Sequence, residues 1–211
     1  QLVNQAIEVY TYDANNNMIS EIYSYWDNSI NDWIFSAKYE FSYDANNNMI
    51  SEIYSYWDNS INDWIFSAKY EFSYDANNNM ISEIYSDWDT SINDWVVSGK
   101  NEYTYDANNN MISEIYSYWD NSINDWIFSA KYEFSYDANN NMISVIYCYW
   151  DTSINDWVVS GKNEYTYDAN NNIISEICSL WDTGINDWVV SGKYEYTYDA
   201  NNNMISEIYS Y

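Results

Sequence analysis

From Trp33 to Tyr43 the chain alternates strictly. Trp33, Phe35, Ala37, Tyr39, Phe41 and Tyr43 fall on one side of an extended backbone, and Ile34, Ser36, Lys38, Glu40 and Ser42 on the other. The stretch from Met18 to Trp26 alternates too, with Met18, Ser20, Ile22, Ser24 and Trp26 opposite Ile19, Glu21, Tyr23 and Tyr25. A period of two with aromatic and β-branched enrichment predicts strands. A helix would need a 3.6-residue apolar stripe and caps, and the pattern has neither.

The two strands recur. YDANNN, with one departure in the residue that follows it, starts at Tyr12, Tyr43, Tyr74, Tyr105, Tyr136, Tyr167 and Tyr198, a spacing of 31 residues each time. Between these lie the Trp-bracketed segments Trp26–Trp33, Trp57–Trp64, Trp88–Trp95, Trp119–Trp126, Trp150–Trp157 and Trp181–Trp188. Self-similarity at one fixed period predicts a repeat array. Residues 1–211 therefore read as one array of seven hairpin units with no separate domain.

Side-chain fit suggests the register. If Trp26 faces Trp33 across the turn Asp27–Asp32, then Ser24 faces Phe35, Ile22 faces Ala37, Ser20 faces Tyr39 and Met18 faces Phe41. On the reverse side Glu21 would oppose Lys38 and Tyr23 would oppose Ser36, and a one-residue slip would lose the match. The second turn must keep Tyr43 and Met49 on one face. A three-residue loop of Ala45, Asn46 and Asn47 between Asp44 and Asn48 does so, as a type I turn plus bulge with Asn47 left-handed. Glu40 then falls opposite Glu52, with Lys69 beyond it offering partial relief.

These turns predict an all-β fold, a continuous, coiled antiparallel meander of about fourteen strands. Following Tyr39 through Ile53 leads to Ala68, so the register drifts by two residues per repeat. Such a stagger closes a sheet into a cylinder or winds it into an open spiral. One face would be too aromatic to stay wet and would need cover. A parallel β-solenoid is the alternative, but it would stack each acid on its own copy at about 4.8 Å.

Tyr-Asp-Ala-Asn-Asn-Asn followed by an apolar strand resembles the tyrosine–aspartate repeats of the YD/RHS group. Asn16-Asn17 stands where the group's turn more often carries Gly. The 31-residue period with paired Trp, as in WDNSINDW followed by KYEFSYD, is similar to the long-period variant in secreted proteins of Bacteroidetes. The resemblance covers essentially the whole chain. It implies hairpin-repeat architecture, an extracellular setting and coiled sheets that can wrap a toxin payload. It also implies a C-terminal type IX sorting domain; no sorting or payload region is recognisable in these residues.

Composition narrows the functional classes. Lys is the only basic residue, and 6 Lys against 33 Asp and Glu give a net charge of −27. A polyanion of this kind repels nucleic acid and anionic lipid. No run of about 18 apolar residues predicts membrane insertion, and Gln1 opens into repeat-like sequence rather than a signal peptide. With 26 Tyr, 12 Trp and 6 Phe, the chain is too aromatic to read as disordered.

Catalysis is not expected. There is no His or Arg, and no Ser or Cys has a His partner. The carboxylate pair Asp27 and Asp32 recurs in every unit, unlike a glycosidase pair with two distinct environments. No catalytic, cofactor-binding or metal-ligating residue is assigned. Asp13, Asn15 and Asn17 begin like a calcium loop, yet they lack the closing Glu and are already explained by the turn, so no cofactor is expected.

The Trp26 and Trp33 pair reads as packing, with sugar stacking the alternative, while Tyr23 and Tyr25 read as exposed candidates for adhesion or lateral contact. Cys148 fills the slot of Ser24 and Cys178 that of Tyr23, on opposite faces of strands two apart, so no disulfide is expected. Val145 replaces a Glu and would leave Lys162 without its cross-strand acid. Uncapped edges predict self-association, head-to-tail or lateral. The function expected is a non-catalytic structural protein of an extracellular or cell-surface fibre, filament or stalk. The alternatives are an adhesin or polysaccharide-binding repeat module and a fragment of an RHS-like shell.

Overall fold

A computed structural model of the chain describes residues 6–211. Residues 1–5, which the sequence assigns to the start of the array, lie outside the described residues. The fold is all-β. Its strands are β1 (Ala6–Tyr12), β2 (Met18–Asp27), β3 (Asp32–Tyr43), β4 (Met49–Asp58), β5 (Asp63–Tyr74), β6 (Met80–Asp89) and β7 (Asp94–Tyr105), followed by β8 (Met111–Asp120), β9 (Asp125–Tyr136), β10 (Met142–Asp151), β11 (Asp156–Tyr167), β12 (Ile173–Asp182), β13 (Asp187–Tyr198) and β14 (Met204–Ser210). They form one open sheet in simple chain order, each strand bonded to its sequence neighbours. The resolved pairings are antiparallel, which rules out the solenoid. Two compact units are present. One runs up to Asn101 and includes Asn121–Asn124; the other comprises Glu102–Asp120 and Asp125–Tyr211.

In the first unit the register follows the sequence expectation from the Trp turn outward. Asp27 opposes Asp32, Trp26 opposes Trp33, and Ser24 opposes Phe35. It then departs from it. Tyr23 pairs with Ala37, Ile22 with Lys38, Glu21 with Tyr39 and Ser20 with Glu40. Ser36 is the extra residue of a β-bulge, which re-aims every side chain after it. The same shift separates Tyr54 from Ser55 in the next hairpin and, in the second unit, Tyr116 from Ser117.

Three serines at this position of the repeat are pinned. Ser98, Ser160 and Ser191 donate their hydroxyls to the carbonyls of Tyr85, Tyr147 and Cys178 across the ladder. The bulge corrects the expectation that the aromatic rings gather on a single face. Trp26, Trp33 and Phe35 share one face with Lys38 and Glu40, whereas Tyr23, Tyr39 and Phe41 occupy the other.

The second hairpin behaves as expected at its turn. Asn47 is left-handed, with φ of 65°, its N–H reaches the Asp44 carbonyl at 3.1 Å, and the Asp44 N–H reaches the Asn48 carbonyl at 2.9 Å. Asn tolerates this region better than other residues with a Cβ because its short amide can bond locally. Tyr43 opposes Met49, but Ser42 opposes Ser51, so Ile50 is a second bulge. Glu40 therefore faces Ile53, and Glu52 faces Phe41 instead of Glu40. The two bulges fall on opposite strands and offset one another. Tyr39 pairs with Tyr54 and Tyr54 with Ala68, so the drift of two residues per repeat survives, by way of Tyr54 rather than Ile53.

Rings lie on both sides of the sheet, and little of either side is buried among the described residues. Among the described residues Val145 and Cys148 are the only buried apolar side chains. The recurrent buried position is a serine: Ser24, Ser55, Ser86, Ser117 and Ser179. Stability must come from backbone ladders and from side chains lying across neighbouring strands rather than from an interior. No described helix is long and apolar enough to cross a membrane.

Candidate functional site

The face that carries the indoles is built from contacts between successive units. Trp26 and Trp33 meet edge to face at 5.4 Å. Phe35 reaches forward to the next pair, 5.1 Å from Trp57 and 5.5 Å from Trp64. Phe66 repeats this with Trp88 and Trp95, and Phe128 does so in the second unit with Trp150 and Trp157. Lys38 lies over the Trp64 ring with its ammonium 5.7 Å from the centroid, while the same ammonium pairs with Glu40 at 2.8 Å. The bulge allows both contacts, since it moves Lys38 to the indole face. The expected Glu21–Lys38 pairing is thereby replaced by an ion pair along one strand. Lys162 likewise keeps an acid, Glu164, at 2.8 Å, so Val145 costs it nothing.

Between two Trp turns of the first unit the surface opens into a groove of about 350 Å³ lined by Ile61, Trp64, Ile65, Phe66, Trp88, Thr90 and Asn93. A second groove, of about 450 Å³, involves Leu180, Trp181, Asp182 and Val190 in the other unit. All twelve Trp are half-buried. Ile61, at the turn tip, is 61% exposed. The Trp turn is closed by a second left-handed residue, Asn31 with φ of 55°. Its equivalent Asn62 donates to the Asp58 carbonyl at 2.8 Å. Sequence reasoning missed this residue, although Asn just before the closing Asp was its signal.

The opposite edge of the sheet is an asparagine ladder. Asn17 donates its side-chain amide to the side-chain Oδ1 of Asn47 at 2.9 Å, and Asn48 does the same to Asn78. In the second unit Asn110 reaches Asn140, Asn141 reaches Asn171 and Asn172 reaches Asn202. The tyrosine of the YD pair adds a longer tie. Tyr43 donates its hydroxyl to the Met18 carbonyl of the preceding repeat at 2.9 Å, and Tyr74, Tyr136, Tyr167 and Tyr198 do likewise to Met49, Met111, Met142 and Ile173. The Met18, Met49, Met142 and Ile173 carbonyls each sit beside such a bulge, where the ladder is broken.

The candidate calcium ligands are occupied by the turn itself. Asp13 accepts from the Asn15 and Asn17 N–H groups, both at 2.8 Å, and from the Asn17 amide at 3.0 Å. These donors hold its carboxyl below the ordinary 3.8. Asp27, across from Asp32, accepts from the Ser29 N–H and hydroxyl, which also lowers its pKa. Among the described residues no group of three or more Asp, Glu, Cys or His is placed to hold a metal ion. Cys148 and Cys178 are free thiols, both pushed up chiefly by burial. On the phenol face, Tyr23 donates to Glu21 at 2.5 Å, an anchor that raises its pKa to about 12.

The carboxylates define a pH profile. Turn aspartates such as Asp13, Asp44 and Asp58 have depressed folded pKa values. They contribute stability above about 3.8 that is lost as pH falls through those values. Glu52 moves the other way, raised from 4.5 by burial and by Glu83. It binds its proton more tightly when folded, so its effect favours the fold below its raised value and fades as pH rises through it. Relief of charge repulsion acts in the same direction as Glu52. Stability is therefore expected to rise as pH falls from 7 to about 5 and to decline again below about 3.8. Added salt should flatten the upper limb. Urea titrations across pH at low and high salt read both limbs, and a monotonic gain with pH would refute the assignment.

No protein-family model and no curated protein matches this chain. Solved structures do. A stretch of the Tc holotoxin pore of Photorhabdus luminescens aligns with 96% of this chain at a TM-score of 0.59 and 16% identity, spanning 9% of that chain. A protein of unknown function from Bacteroides fragilis is 21% identical over 60% of this chain and 90% of its own, at a TM-score of 0.48. A DUF3836 family protein from Bacteroides vulgatus is 19% identical over 44% of this chain and 91% of its own, at 0.38. The toxin likeness is one of fold.

Proposed function

We propose that this chain is a non-catalytic structural array, a length-giving segment of an extracellular bacterial fibre, filament or surface stalk. One observation carries the reading: the side chains that recur from unit to unit are spent on joining each unit to the next. Phe35, Lys38, Tyr43 and Asn17 all reach into an adjacent repeat. An array whose stability is a sum of such nearest-neighbour terms can be lengthened without redesign. The left-handed Asn at the place where YD turns more often carry Gly supports a YD/RHS-type hairpin repeat. Head-to-tail or lateral self-association completes the proposal.

Inserting one further 31-residue repeat at a YDANNN turn of the full chain tests it. Scattering should show an increment in maximum dimension equal for each repeat added, with undiminished stability. Electron microscopy at rising concentration should show filaments. Insertions that unfold the chain would count against the modular array, and monodisperse particles throughout would count against assembly.

The half-open groove at Trp64, Phe66 and Trp88, edged by Thr90 and Asn93, favours a second reading, a polysaccharide-binding module. Indole faces stack on sugar rings while amide and hydroxyl groups bond their edges. A glycan array decides: binding lost on Trp88→Ala supports adhesion, and silence leaves the structural role alone.

A further inference from the structure

The phenol face sets tyrosines directly opposite one another at intervals along the array. Tyr39 opposes Tyr54 with ring centroids 5.1 Å apart and planes tilted by 34°. Tyr70 opposes Tyr85 at 5.2 Å in the same unit. In the second unit Tyr132 opposes Tyr147 at 5.5 Å, and Tyr194 opposes Tyr209 at 4.7 Å with a 38° tilt. The four pairs occupy the same slot of the repeat. At another such slot the pair is absent, because Asn163 faces Cys178.

We propose that these four pairs are oxidative cross-linking sites, at which adjacent phenols couple to dityrosine and stitch neighbouring strands covalently. The oxidant is hydrogen peroxide acting through a haem peroxidase. Each phenol loses one electron and its hydroxyl proton. The two phenoxyl radicals join through ring carbons ortho to oxygen, those carbons release their hydrogens, and both oxygens regain protons. The peroxide takes up the two electrons and two protons and leaves as two water molecules.

Three features of the site suit this chemistry. Radical coupling needs two rings within reach before either radical is lost, and direct cross-strand opposition holds them there. A proton acceptor beside the phenol assists its oxidation, and Tyr85 donates to the Glu83 carboxylate at 2.5 Å. The rings are only partly covered, with Tyr209 52% exposed, so an external oxidant can draw electrons from them. The link between Tyr39 and Tyr54 would also bridge the YDANNN hairpin and lock its register past the bulge at Ile50.

The inference does not depend on the functional reading above. Its test treats the full chain, at dilute concentration, with peroxidase and hydrogen peroxide, followed by dityrosine fluorescence and mass mapping of linked peptides. Links are expected at Tyr39–Tyr54, Tyr70–Tyr85, Tyr132–Tyr147 and Tyr194–Tyr209, with the two tilted pairs reacting first. Tyr54→Phe should remove the first link and leave the other three, with an unchanged circular dichroism spectrum. The pattern should disappear when oxidation is run in urea. Links that scatter over the exposed Tyr25, Tyr56 and Tyr118, an unchanged map in Tyr54→Phe, or no dityrosine at all would overturn it.

Discussion

Trp64→Ala is expected to destabilise the first unit by about 2–3 kcal/mol, one of the larger effects of a single truncation on the indole face. Trp64 touches Trp57 at 5.2 Å, Phe35 at 5.5 Å and the Lys38 ammonium at 5.7 Å. The full cost of emptying a buried Trp site is about 3–5 kcal/mol. Half-burial removes part of that, and the three lost ring contacts restore some. Because the neighbouring units connect through this ring, the loss should localise as an opening of the β4–β5 hairpin rather than spread evenly. Hydrogen exchange should show protection falling there first. Trp188→Ala should cost less, because Val159 stands in the slot of Phe35 and leaves Trp181 and Lys162 as its ring partners. Equal losses for the two variants would contradict the packing account.

Ser55→Leu is expected to cost about 1–3 kcal/mol, while Ser55→Ala should gain roughly 1 kcal/mol. Among the described residues Ser55 is the one side chain with no exposed surface. Lys38 and Phe66 stand directly opposite it on the two flanking strands and share its face. Its hydroxyl oxygen has no hydrogen-bond partner, so removing it relieves a desolvated group, whereas adding three carbons forces those neighbours aside. The natural replacement at this slot is modest in size: Cys148 is accommodated where the facing residue is Val159 instead of Phe. Thermal melts of both variants read the sign directly. Destabilisation by alanine as large as by leucine would show that the hydroxyl is bonded in solution.

Much of the architecture follows from short-range chemistry. Alternation made Met18–Trp26 and Trp33–Tyr43 strands, and Asp44-Ala45-Asn46-Asn47 made a three-residue turn, because a left-handed Asn and an Asp that accepts from its own loop need nothing beyond the loop. The 31-residue period followed from identity alone, and the antiparallel order from the shortness of both turns. Trp26 opposite Trp33 and Ser24 opposite Phe35 were also legible, being close to a turn that fixes them. Further along the same strands the register was not.

The sequence by itself determined the strands, the turns, the order and the two-residue drift. Only the tertiary structure decided which side of the sheet each ring occupies. Ser36 and Ile50 are ordinary residues in an extended chain, and the only hint of the first bulge is the pair of small residues Ser36-Ala37 amid large ones. A bulge becomes favourable through contacts outside its own strand. It turns Lys38 toward an indole one repeat away, gives the Met18 carbonyl to a phenol 25 residues distant, and divides the aromatic load between two faces of a single layer. Those gains depend on neighbouring copies already in place, so no window of local sequence contains them.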